Sequence, residues 1–136
     1  MNILEKSMLF IPNRYSAQGK EIYVSYNISV IPEDMEVLSM KLVVTAHVPA
    51  TGTLVLREIK HGWDEQYIMK ARPTCTEIRD TVAISRVKEA EFDLTRLSGP
   101  WRFDSHNNHG IYVVLESEDD ASFLLEDPPY LLVGTM

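Results

Sequence analysis

Apolar and polar positions alternate along most of this chain. Across residues 21–30, Ile22, Val24, Tyr26, Ile28 and Val30 share one side of an extended segment, with Glu21, Ser25, Asn27 and Ser29 opposite. A period of two marks a half-buried strand, because successive side chains leave a pleated backbone on opposite faces. Ile31-Pro32-Glu33-Asp34 then predicts a turn, since proline fixes φ and has no N–H to give a ladder. The alternation returns with Met40, Leu42, Val44, Ala46 and Val48 inward and Lys41, Thr45 and His47 outward. Pro49-Ala50-Thr51-Gly52 is expected to close that strand, residues 53–59 to form the next, and His61-Gly62 to end it.

The remainder is shorter in period. Residues 64–70 predict a helical turn or an irregular loop, stopped by Arg72-Pro73 because the residue before a proline disfavours helix. Residues 81–87 and 90–94 read as two short strands, and Ser98-Gly99-Pro100 and residues 105–110 as loops. Residues 111–116 alternate again, an acidic turn follows, and residues 122–125 and 130–133 read as the last strands. Seven or eight short strands with turn clusters between them predict an all-β fold, an antiparallel β-sandwich of jelly-roll-like form. At 136 residues the chain predicts one domain, with residues 1–20 as an N-terminal extension and 21–133 as the sandwich core.

Composition narrows the function classes. Apolar residues make up 45% and charged residues 24%, a balance that supports a packed core and excludes a disordered chain. The net charge of −7 argues against nucleic acid as a partner, because phosphate binding needs a basic face. No apolar run approaches the ~20 residues of a spanning helix, so the chain is not expected to cross a membrane. Cys75 is the single cysteine, which excludes an internal disulfide and suits a reducing compartment. Met1 to Lys6 show no secretory pattern, while Asn27-Ile28-Ser29 is an acceptor pattern for glycosylation at Asn27.

Candidate chemistry is sparse. His106 and His109 stand three apart in a loop and suit a metal ion given a third ligand, or a turn built from polar side chains with Gly110. His47 and His61 have no such partner in sequence. Asp64-Glu65, Glu118-Asp119-Asp120 and Glu126-Asp127 are acidic pairs of the kind used in acid–base work, and equally of the kind found in solvated turns. Calcium at residues 116–120 is the one cofactor the acidic loop suggests, without a recognised ligand spacing. No metalloprotease, hydrolase-elbow or phosphate-loop motif is present, so catalysis is not expected. Tyr23, Trp63, Tyr67, Trp101 and Tyr112 are the candidate binding residues, whose flat rings can stack on a sugar or anchor a protein. The tryptophans suit a core cap equally well.

Several strings together resemble the prodomain of the TGF-β superfamily, especially its bone morphogenetic protein branch. Tyr26-Asn27-Ile28-Ser29-Val30-Ile31-Pro32 with the alternating residues up to Leu42 is similar to the family's "FNxSxIPxxExVxxAxLxL". Leu54-Val55-Leu56-Arg57-Glu58-Ile59 stands where a strand of the "xIYEI" type occurs. Phe92-Asp93-Leu94-Thr95 with the later Trp101, Asn108-His109-Gly110 and Pro129-Tyr130-Leu131-Leu132-Val133 follow in the family's order. The bacterial and archaeal DNRLRE modules, which include alginate-type carbohydrate-binding modules, share much of this. Trp63-Asp64-Glu65 followed by Pro73 is similar to their "WxE…P". Either resemblance implies a jelly-roll-like sandwich without catalysis. The first implies a secreted arm domain holding a growth-factor dimer, from which this sequence departs in that the helix and lasso expected before the arm are absent or reduced to the first ten residues. The second implies an extracellular or wall-associated module binding polysaccharide.

Overall fold

The computed structural model describes residues 6–68, 70–77, 80–117 and 128–136, without the side chains of His47 and Val48. The chain runs β1 (Lys6–Phe10), β2 (Arg14–Gln18), β3 (Glu21–Ser25), β4 (Val37–Glu58), β5 (Asp80–Asp93), α1 (Ser98–Phe103), β6 (Ile111–Glu116) and β7 (Tyr130–Thr135). Every strand pairing among the described residues is antiparallel, as the alternation predicts. The expected strand over residues 122–125 lies outside the described residues.

The strands form one sheet in the order β1-β7-β4-β6-β3-β2, with β5 also on β4. Two long strands make this possible. The first part of β4 pairs with β7 through Val37 to Val43, and its last part pairs with β6 through Thr53 to Glu58. On its other side β5 accompanies β4 along both parts. The sheet therefore curls into two wings joined by a bent β4–β5 ribbon, and both wings bury side chains in one cluster. Ile22, Val24, Leu54, Leu56, Ile111 and Val113 enter it from one wing and Met40, Leu42, Phe92, Leu131 and Val133 from the other.

The bend corrects the expected turn at residues 49–52. Pro49 removes a donor, yet the strand continues because the β4–β5 register shifts between Thr45 and Ala50 and again before Gly52. A bulge leaves residues unpaired, so a proline there breaks no ladder bond. Gly52 has φ +148°, and a Cβ on it would meet the Glu116 carbonyl at 2.5 Å. Opposite, the two short strands expected over 81–87 and 90–94 are one, kinked at Arg86, whose φ is +54°. The Arg86 N–H donates to Thr51 Oγ1 at 3.0 Å, which ties the two kinks together.

Other boundaries move for local reasons. β3 stops at Ser25, short of the expected Val30, and Val30 is exposed. Asn27 Oδ1 accepts from the Ser29 N–H and hydroxyl, a local bond that takes the backbone out of the ladder. The expected N-terminal extension instead carries β1 and β2, and Met8, Phe10 and Tyr15 pack against the core. Ser98-Gly99-Pro100 opens the short helix α1, where a proline in the first turn loses no helical bond.

Candidate functional site

Tyr23 is an aromatic residue on the polar side of β3, and a covered outer face explains it. Tyr23 pairs in register with Tyr112 on β6, which pairs with Arg57 on β4, so the three form a row across the outer surface. The connection from β4 to β5 folds over this row and adds Trp63, Ile68 and Cys75. The Tyr23 ring lies 4.8 Å from that of Tyr112 and 6.1 Å from that of Trp63, both tilted. Tilted aromatic contacts at these separations are favourable beyond the area they bury.

Polar bonds close the cluster. Trp63 Nε1 donates to the His109 carbonyl at 2.8 Å, and Arg14 Nη1 donates to the Trp63 carbonyl at 3.0 Å. The Tyr112 hydroxyl donates to Glu21 Oε1 at 2.8 Å, and Arg72 Nη1 meets the other Glu21 oxygen at 2.9 Å. Burial, then the bond to the Glu21 carboxylate, pushes the Tyr112 phenol well above its usual range. Burial raises Tyr15, Tyr23 and Tyr26 as well, and the Tyr26 hydroxyl donates to the Pro129 carbonyl at 2.6 Å.

A raised phenol favours the neutral form in the folded state, so its contribution is complete below the ordinary value of about 10 and lost as pH rises beyond it. Melting curves recorded at successive pH values should therefore show this contribution fading only above about pH 10. Tyrosinate absorbance from the buried phenols should rise together with loss of the strand signal, and a rise of all phenols at unchanged strand content would contradict the burial.

The sequence candidates thus separate. Tyr23, Trp63 and Tyr112 come together, but Tyr23 and Trp63 are each only 7% exposed and pack on one another. Tyr67 stands in the same connection and is 56% exposed. Trp101 is elsewhere, on α1 within the main core at 4% exposure, so it has no ring face to offer a ligand. Asn27 is exposed, with its amide oxygen held by Ser29.

The remaining polar candidates serve the loops. His61 Nε2 accepts from the Thr74 N–H at 2.9 Å and its Nδ1 lies 3.0 Å from the Gly62 carbonyl, satisfied together by a proton on Nδ1. His106 faces Asp104 at 3.2 Å on the surface. Asn108 Nδ2 donates to the Tyr26 carbonyl at 2.7 Å, and Gly110 follows at φ +88°. No three of His, Cys, Asp and Glu converge among the described residues. Residues 118–120 of the expected calcium loop, and the acidic pair Glu126-Asp127, lie outside them. Burial pushes the Cys75 thiol up, against the pull of Arg57.

The alternation did not point to a second surface, at the corner between β1 and β2. Leu9, Ile11, Pro12, Tyr15, Thr45, Pro128 and Tyr130 line an open groove of about 440 Å³ that is mainly apolar. Leu9 is 60% exposed and Ile11 75%. β1 hydrogen-bonds to β7 alone among the described strands, so its other edge is unpaired there. The consecutive run Met8-Leu9-Phe10-Ile11 was the available signal: alternation sends Met8 and Phe10 to the core and leaves Leu9 outside. A third recess, of about 320 Å³ and mostly polar, lies between Arg14, Trp63, Asp64, Glu65 and Gln66.

No helix among the described residues is long and apolar enough to cross a membrane. A scan against protein-family models and a search of curated proteins both return no match for this chain.

Proposed function

We propose that this protein is a non-catalytic binding module, a jelly-roll-like sandwich of the prodomain-arm type that holds a protein ligand. The observation that carries the reading is the edge of β1 that no described strand pairs, beside the apolar groove at Leu9 and Ile11. An unpaired strand edge supplies main-chain donors and acceptors in register, and adjacent apolar recesses select side chains. The ligand is then an extended, apolar segment that adds to the sheet, as a growth-factor dimer of the bone morphogenetic protein class can present. A secreted location follows from that partner.

The carbohydrate reading rests on the polar recess beside Trp63, where Arg14, Asp64, Glu65 and Gln66 surround space next to the exposed Tyr67. Polar groups next to a ring suit a sugar, whereas the burial of the indole itself leaves little face for stacking.

Biolayer interferometry with mature growth-factor dimers and acidic polysaccharides tests both readings. Saturable binding to a dimer, weakened at least about tenfold by Leu9→Asp or Ile11→Asp, is the expected result for an apolar anchor. Binding to polysaccharide alone, lost in Tyr67→Ala and untouched by Leu9→Asp, would replace the first reading with the second.

A further inference from the structure

Among the described residues two arginines have an Nε sealed from solvent without a hydrogen-bond partner, Arg57 and Arg102. They differ in what the rest of the guanidinium does. Arg102 donates through Nη2 to the carbonyls of Pro32 at 2.7 Å and Met35 at 2.9 Å and lies over the Phe103 ring. Arg57 makes no ion pair among the described residues. A guanidinium stays charged at any physiological pH and carries donors in a planar fork, so a half-buried one with an Nε left unsatisfied and no ion pair among the described residues calls for an explanation.

Its surroundings supply one. Arg57 opens onto a cleft of about 590 Å³ that it lines with Lys60, Cys75, Thr76 and Glu77. The cleft floor is held in place by backbone bonds on both sides: the Thr76 N–H donates to the Glu58 carbonyl and the Lys60 N–H to the Thr74 carbonyl, each at 2.9 Å. Tyr112 flanks Arg57 across the strand pair and Cys75 is a raised, protonated thiol, so neither neutralises the two cations. Among the described residues Glu77 is the one carboxylate lining the cleft, and it forms no ion pair with either of them.

The geometry points to an oxyanion site in this cleft, with the Arg57 fork and the Lys60 ammonium taking a carboxylate or phosphate group of a ligand. Arg57 supplies a planar, charge-assisted contact and Lys60 a mobile second charge, a pairing suited to both groups. Glu77 at the rim opposes entry and weakens binding. The site is separate from the groove beside β1 and stands whether or not that groove binds protein.

Nitrogen-15-labelled protein titrated with inorganic phosphate, and separately with acetate, at constant ionic strength in chloride tests it. Saturable shifts are expected at the Arg57 Nε–H and at the Lys60 and Thr76 amides, and the tighter of the two anions identifies the ligand group. Lys60→Met should weaken binding by about tenfold and Arg57→Met by more, which corresponds to loss of one and then the stronger charged contact. Glu77→Gln should tighten it. Lys60 is exposed, so its variant keeps the fold and carries the test if Arg57→Met does not. Linear shifts no larger than those from chloride, or equal affinities for the parent and Lys60→Met, would overturn the site.

Discussion

Gly110→Ala should cost about 4 kcal/mol or more and leave little cooperative fold, because strain and overpacking act together. A Cβ there would strike the Val24 carbonyl and stand 2.7 Å from Ser25 Cβ and 2.8 Å from Ser25 Cα. Two of these atoms are backbone of β3, and the third is fixed to it, so none can swing aside. The Gly110 carbonyl also accepts from the Ile59 N–H at 3.0 Å, and the next residue, Ile111, is paired with Val24. Displacing Gly110 thus pulls on β3, β4 and β6 together.

Gly19→Ala is the matched control. Gly19 has φ +59° and nothing within 4 Å of a Cβ, so only the left-handed conformation opposes alanine there, at about 1 kcal/mol. Urea denaturation of both variants measures the difference. Equal losses would mean that the close approach at Gly110 contributes nothing.

Trp101→Ala is expected to cost about 3–5 kcal/mol, the usual range for removing a buried large aromatic side chain. Trp101 is 4% exposed and belongs to the cluster shared by both wings. It is brought there by a short tether: Thr95 Oγ1 accepts from the Met40 N–H at 3.0 Å, the Leu94 N–H donates to the Met40 carbonyl, and Leu94 and Leu97 are buried. Folded Trp101→Ala protein, compared at low temperature, should bind any ligand of the β1 groove as the parent does. Full stability with lost binding would make Trp101 a contact residue after all.

Strand content was legible because burial on one face leaves a local record. Ile22, Val24, Tyr26, Ile28, Met40, Leu42, Val44 and Ala46 are inward residues expected from alternation and found in the core. Even-numbered residues face inward on both sides of the bulges, Met40 to Ala46 before them and Leu54 and Leu56 after, which is why a bent continuous strand reads like two strands and a turn. Pro49 and Gly52 carry the ordinary marks of a turn. Whether such residues turn a chain or bulge it depends on the strands alongside, and those come from β5 and β6, distant in sequence.

The candidate site was less legible. Trp63 and Tyr23 were identified as residues with work to do, but an aromatic ring that closes a small outer cluster and one that meets a ligand have the same sequence signature. Their burial depends on a connection some 20 residues long folding over the sheet, and on the His109 carbonyl standing within reach of the indole.

By itself, then, the amino-acid sequence determined the antiparallel all-β character, most of the inward-facing residues and the absence of recognised catalytic motifs. All of these follow from local periodicity and residue type. Tertiary structure decided the curl of the β4–β5 ribbon, the entry of residues 6–18 into the sheet, the burial of Trp101, the need for glycine at position 110 and the edge of β1 that no described strand pairs. Alternation tells which side of a strand must be covered, and only the arrival of distant segments decides what covers it and what is left bare.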